Sequence, residues 1–319
     1  MGIFDKKRIE FKKPFMEKYR LTVTSDIQTG NMSIKSKAVI RWEVKVKSIN
    51  EKYINLEIIT LDNELIEYNN PLIKSMADMN KVLSGMWSEL DLILDRDYEL
   101  VKINNLELLK EKWERIKSEM KNMLSEEPEL ISNVINLNDK NFENPDVVVS
   151  LIQKSEFFLI YFHHVFGKTD HSISGKVKNK NIFNTALMDW SYKVDRINMD
   201  DGDTCLFDVE GYVETSLNRS WIKEFYKAFT HLDLDKTQPV MTEKGKYLID
   251  AETGKIIKAY LEKKEIAHPR ILHGTTRYEL QLDGTAKKEQ VFSPVQIRQE
   301  TAFEASKGYD PPRSLIIDD

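Results

Sequence analysis

Between Lys18 and Leu61 the chain alternates apolar and polar side chains with a period of two, and this pattern limits its folds more than any other feature. Tyr19, Leu21 and Val23 form one series. Ala38, Ile40, Trp42, Val44 and Val46 form a second, and Ile54, Leu56 and Ile58 a third. Successive side chains of a strand point to opposite faces, so each series buries one face and wets the other, as in an antiparallel sheet. Thr29-Gly30-Asn31 and Asn50-Glu51-Lys52 interrupt the series and read as hairpin turns. A meander is expected here.

The same period returns late in the chain. Ala186, Met188, Trp190, Tyr192 and Val194 alternate, as do Cys205, Phe207, Val209 and Val213 beyond a turn at Asp200-Asp201-Gly202-Asp203. Three more strands are expected at Gly245–Ile249, Lys255–Glu262 and Ile271–Leu282. The first two are joined by Asp250 to Gly254, whose glycine suits a tight hairpin.

Between the two alternating regions the period becomes helical. Leu72, Met76, Met79, Leu83, Met86 or Trp87, Leu90 and Leu94 predict one helix, with Pro71 in its first turn. A short strand at Tyr98–Ile103, closed by Asn104-Asn105, precedes a second helix through Leu106, Leu109, Trp113, Ile116 and Met120. Asn144 as cap, Pro145 at the first position and Asp146 near the positive end open a third. It is expected to run through Val149, Ile152, Phe157 and Ile160 towards Phe166 and to stop at Gly167. Leu217, Trp221, Phe225 and Phe229 mark a further helix, capped by Asn218 or Ser216.

Strands segregated from helices indicate an α+β fold and not a doubly wound sheet. The expected architecture is a curved antiparallel β-sheet from two meanders, with the helical block at about 71–166 between them packed on one face. Pattern alone leaves open whether both meanders join one sheet. The expected division is an N-terminal segment at 1–17, a single α+β domain at 18–283 and an extended C-terminal tail at 284–319. Pro294, Pro311, Pro312 and the cluster Leu315-Ile316-Ile317 lie in that tail, which reads as fraying, with a docking arm as its other reading.

Charge and composition remove several functional classes. The 52 acidic and 47 basic residues are interspersed and sum to −5, so the clustered basic face that nucleic-acid binding needs is lacking. The basic start (Lys6, Lys7, Arg8, Lys12, Lys13) is short and reads as a solvated tail. No run approaches the roughly 18 apolar residues of a membrane helix, so the chain is not expected to be an integral membrane protein. No apolar leader follows Met1, and Lys6 stands where a myristoylation signal places Ser or Thr. Cys205 is the one cysteine, which rules out an intrachain disulfide. A cytoplasmic location is the reading that follows.

Candidate chemistry is thin. His163 and His164 with Asp170 and His171 are suitable metal ligands, but adjacent histidines on a helix point apart. Asp200 to Asp203 resembles the start of a calcium loop, yet Gly211 stands where the closing glutamate belongs. His231, Asp233 and Asp235 read as the end of the Trp221 helix. Cys205 shares a face with Phe207 and Val209 and reads as an inert buried thiol. Nucleophile elbow, phosphate loop and His-Glu-x-x-His are all missing. No catalytic residue, metal site or cofactor is therefore assigned.

The aromatic residues are the remaining signal. Trp42, Trp87, Trp113, Trp190 and Trp221 each fall on an apolar stripe and read first as core. If the sheet curves, Trp42 and Trp190 with Phe157, Phe158 and Tyr161 line a ligand cavity. The functional expectation is a non-enzymatic binding or interaction protein, taking an apolar ligand, a partner protein or a partner helix. Its alternative is a hydrolase-like enzyme with a site assembled from dispersed Asp, Glu and His.

The run from Leu94-Asp-Arg-Asp-Tyr98 through Asn104-Asn105 to Trp113, with the hairpin Tyr247-Leu-Ile-Asp-Ala-Glu-Thr-Gly254-Lys-Ile-Ile257, resembles functionally uncharacterised bacterial proteins. Their curved-sheet, clamp-like fold is similar to the LolA and LppX type of lipoprotein carrier. The resemblance spans about residues 18–283. It implies an apolar chain held between a concave sheet face and covering helices. Such carriers are generally exported, whereas the start of this sequence reads without an export signal.

Overall fold

The computed structural model describes residues 8–123, 128–162, 165–169, 172–197 and 202–284. The chain divides into two units, Met1–Asp283 and Gly284–Asp319, and the described residues of the first are compact. Of the second, only Gly284 is described, so the tail and its docking reading lie outside the described residues.

The first meander forms as its alternation dictates. Strands β1 (Phe15–Thr29), β2 (Met32–Ile49) and β3 (Tyr53–Tyr68) pair antiparallel in sequence order. Gly30 supplies a left-handed residue at the first turn, with φ +59°. At the second, the Asn50 side-chain oxygen accepts from the backbone N–H groups of Lys52 and Tyr53 at 2.9 and 2.8 Å. Tyr19, Leu21, Trp42, Val44, Val46, Ile54, Leu56 and Ile58 are all buried. Full burial of such a side chain contributes about 1.5–3 kcal/mol, which is why the register is strongly specified.

The helix predicted over 72–94 is cut short. Helix α1 (Pro71–Ser84) passes into a 3-10 turn at Gly85–Trp87, and Glu89–Asp95 is strand β4. Leu90, Leu92 and Leu94 are buried while Glu89, Asp91, Ile93 and Asp95 are not. Leu90 and Leu94 satisfy a helical and a strand period at once, and pairing with β3 decided between them. Strand β5 (Leu100–Ile103) follows after Tyr98, itself in a left-handed conformation at φ 63°. Helix α2 (Leu106–Met123) lies where it is expected, and Leu109, Trp113, Ile116 and Met120 are buried. Helix α3 (Pro128–Phe142) has no counterpart in the sequence reading. Its buried Ile131, Ile135 and Phe142 are separated by polar stretches that hide the period.

The helix predicted from Pro145 to Phe166 is two. Helix α4 (Pro145–Gln153) begins as expected, with the Asn144 side chain accepting from the Asp146 N–H at 3.0 Å. It ends at Lys154, and α5 (Glu156–Tyr161) begins after Ser155. Gly167, at φ +78°, turns the chain away after Phe166. Helix α6 (Arg219–Phe225) is capped by Asn218, not Ser216. Strands β6 (Ser172–Ile173) and β7 (Val177–Lys180) are short additions beside β8 (Leu187–Ile197). Strands β9 (Thr204–Val213), β10 (Val240–Asp250), β11 (Ile256–His268) and β12 (Leu272–Leu282) complete the second meander.

The question left open by the sequence is answered by β1 and β12, which pair antiparallel from Tyr19–Leu282 to Thr29–Leu272. One mostly antiparallel sheet results, in the order β5-β4-β3-β2-β1-β12-β11-β10-β9-β8-β6, with β7 also on β8. Sheet and helices together make an α+β fold.

The start of the chain differs from a solvated tail. Ile9 and Phe11 are buried, and the Phe11 ring contacts Phe15, Tyr98 and Phe166 at 5.0–5.3 Å. Arg8 pairs with Asp97 at 2.7 Å, Lys12 donates to the Ala251 carbonyl at 2.7 Å, and Lys13 pairs with Glu252. Lys6 and Lys7 lie outside the described residues. The segment rests against the hairpin between β10 and β11, where Gly254 has φ +79° and a Cβ would overlap the Glu10 carbonyl. Gly254→Ala is therefore expected to lose about 1–3 kcal/mol of stability. Urea denaturation checks this, and an unchanged midpoint would mean that residues 8–14 do not seat there.

Candidate functional site

A cavity of about 420 Å³ is lined by two sets of residues. From the sheet come Val23 of β1, Ala38 and Ile40 of β2, and Asn63 of β3. These continue the alternating face that buries Tyr19, Leu21 and Trp42. From the helical side come Ala77, Asn80, Leu83 and Ser84 of α1, Trp87 of the 3-10 turn, and Glu156 at the start of α5. The spacing of 77, 80, 84 and 87 is that of one helix face.

Helix α1 is held in an unusual way. Its start is well made, since Asn70 accepts from the Leu72 N–H at 2.9 Å and Pro71 occupies the first turn. Yet none of its residues is buried. Val82 and Leu83 pack against the edge of the core, while Ala77, Asn80 and Ser84 border the cavity, so the helix makes fewer of the dispersion contacts that normally fix an amphipathic helix. Trp87 anchors the segment, stacked on Phe142 at 5.6 Å with 20° between planes.

Glu156 is the one ionisable group in the cavity wall. It is half-buried and has neither a hydrogen bond nor an ion pair among the described residues. Burial pushes its carboxyl up to about 7, with Lys263 on β11 drawing it partly back. On β12, Tyr278 is pushed above the usual phenol range by burial and then by the charges of Glu156 and Glu243. Lys263 is itself committed, with its ammonium 3.5 Å from the buried Glu243.

Other buried carboxylates in the molecule are better provided for. Glu265 accepts from the Tyr226 hydroxyl at 2.6 Å, the Asn181 amide at 2.9 Å and the Ile182 N–H at 2.7 Å. Glu243 accepts from the Tyr192 hydroxyl at 3.3 Å as well as facing Lys263. A buried polar group satisfied in this way is structural by the ordinary rule. Glu156 is the departure from it.

The aromatic set of the sequence reading is split. Trp42, Phe157, Phe158 and Tyr161 come together. The rings of Trp42 and Phe157 are 5.0 Å apart edge to face, Phe157 and Tyr161 are stacked at 5.0 Å, and Phe157 and Phe158 are 5.8 Å apart. Tyr161 donates to Tyr19 at 3.1 Å, and Tyr19 donates to the Ile256 carbonyl at 3.0 Å. Trp190 instead stacks near Tyr192 at 6.3 Å, and its indole N–H is buried without a partner among the described residues. All five are buried, and none borders the cavity; Trp87 does. Glu156 escaped the sequence reading because an acid at a helix start is an ordinary first-turn charge. The one available signal was its place directly before Phe157-Phe158, inside the most apolar stretch of the chain.

The remaining candidates have plainer roles. His163, His164, Asp170, His171, Asp200 and Asp201 lie outside the described residues. Among the described residues no three His, Cys, Asp or Glu side chains converge as metal ligands. Cys205 is half-buried, not buried, and accepts from the Arg196 guanidinium at 3.2 Å. Past the end of α6, Asp233 pairs with Lys236 and Asp235 with Lys223, while His231 sits against the Gly30 turn.

The Glu156 environment makes a signed prediction. A carboxyl held near 7 when folded and near 4.5 when unfolded keeps its proton longer in the folded state. Its contribution to stability is therefore fully present below about pH 4.5 and is lost as pH rises through about 7. Glu156→Gln should match the wild type near pH 4 and exceed it by about 1–3 kcal/mol at pH 8. Denaturant titrations across that range check this, and a pH-independent difference would mean that the carboxyl is solvated.

The chain matches no family model and no curated protein. Among solved structures it is similar to DynF from the dynemicin biosynthesis pathway of Micromonospora chersina, at 5% identity and a TM-score of 0.19. That match covers 86% of this chain and 83% of the other. It is also similar to the dehydratase domain from the CurJ module of curacin polyketide synthase, at 8% identity and a TM-score of 0.10, covering 83% and 75%. Likenesses at these scores carry no argument about fold or function.

Proposed function

We propose that this chain is a binding protein that holds a small apolar ligand between the inner face of β1–β3 and helix α1. In this reading a sheet face and the helix over it hold the ligand between them, as in the clamp-like carriers that the sequence resembles. The observation that carries the proposal is the cavity itself. Six of its ten lining side chains are apolar, its volume is about 420 Å³, and the helix over it has no buried residue. Apolar walls with a few placed polar groups, at volumes of about 300–1,000 Å³, are the usual make-up of a small-molecule site.

The hydrolase-like alternative has less support. It asks for three or more Asp, Glu or His side chains around one pocket. Glu156 is the one such residue in this wall. A partner helix in place of a small molecule is the other form of the binding reading.

Native mass spectrometry of the protein purified from its host distinguishes these. A bound mass of a few hundred daltons, absent from Ala77→Trp, is the expected result, because the indole fills the space below α1. Uptake of Nile red should fall at least tenfold in the same variant. A stoichiometric second chain would favour the partner reading. Equal uptake by both proteins, with no bound mass, would sink the cavity proposal.

A further inference from the structure

We propose that the ligand of this cavity is a cationic amphiphile, an apolar molecule ending in a protonated amine, with its ammonium group seated at Glu156. The inference rests on the cavity reading above and adds the chemistry of the occupant.

Three observations carry it. First, the carboxyl of Glu156 borders the cavity and lacks any partner among the described residues, whereas Glu243 and Glu265 each have several. No donor among the described residues reaches this half-buried carboxyl, so an occupant of the cavity can supply one in place of solvent. Second, the wall offers no cation. Its other polar side chains are Asn63, Asn80 and Ser84, all neutral, so an anionic head group would find like charge and no countercharge. Third, the two titratable groups whose electrostatics are coupled to Glu156 are already engaged or uncharged. Lys263 of β11 faces Glu243 at 3.5 Å, and Tyr278 of β12 is held neutral.

An ammonium meeting a carboxylate in such surroundings forms a charge-assisted hydrogen bond, the stronger kind. A neutral hydroxyl would form an ordinary one. The apolar remainder of the ligand would then lie along Val23, Ala38, Ile40, Ala77 and Leu83. Because the empty carboxyl titrates near 7, an arriving cation must displace its proton. Binding should therefore release a proton and strengthen as pH rises from 6 to 8. The amine, with a pKa near that of lysine at about 10.4, stays charged throughout.

The test compares decylammonium, 1-decanol and decanoate by titration calorimetry at pH 6 and pH 8, with the wild type and Glu156→Gln. Decylammonium is expected to bind at least tenfold more tightly than decanol at pH 8, and about tenfold more weakly at pH 6 than at pH 8. In Glu156→Gln that advantage should vanish while decanol binding is retained, which also shows that the variant is folded. Decanol or decanoate binding as tightly as decylammonium to the wild type would overturn the amine assignment and leave the cavity reading standing. Failure of all three to bind the wild type would overturn both.

Discussion

The antiparallel register between β1 and β12 is the constraint on which the rest of the structure depends. It joins Tyr19 to Leu282 and Thr29 to Leu272, so a strand near the start of the chain closes on the last described strand. Without it the two meanders would each present a long unpaired edge, a surface that proteins normally cover. With it, every helix is an excursion from one continuous sheet. The aromatic centre depends on the same closure, because Tyr19 of β1 bonds both to Tyr161 of α5 and to the carbonyl of Ile256 in β11.

The two halves use their polar groups differently. On β10 and β11, Glu243 and Glu265 are buried and held by tyrosine hydroxyls, an asparagine amide, backbone N–H groups and Lys263. Such networks fix one arrangement when complete. On the β1–β3 side, Glu156 stands at a cavity with no donor among the described residues, beneath a helix that buries none of its residues. A well-capped helix with unfilled space beneath it is at the low end of local stability, where binding elements are commonly found.

Much of the sheet was legible in the sequence. The alternation of Tyr19–Val23, Ala38–Val46 and Ile54–Ile58 located three strands and their turns, because only a pleated chain separates such residues onto two faces. Asn144-Pro145 and Asn218 marked helix starts for an equally local reason, a side-chain oxygen within reach of free N–H groups. Leu90 and Leu94 show where legibility ended. Four residues apart, they fit a helix or a strand, and β3 as neighbour made the choice. Phe157 and Trp42 were recognisable as partners by type, but their contact at 5.0 Å could not be read from spacing.

By itself, then, the sequence determined which faces avoid water and where the chain turns, since both follow from residues adjacent along the backbone. Tertiary structure alone decided that the meanders share one sheet, that α1 borders open space, and that Glu156 meets no partner among the described residues. These depend on meetings between residues scores of positions apart. Burial by such distant neighbours is what lifts a carboxyl to about 7, and no local pattern encodes it.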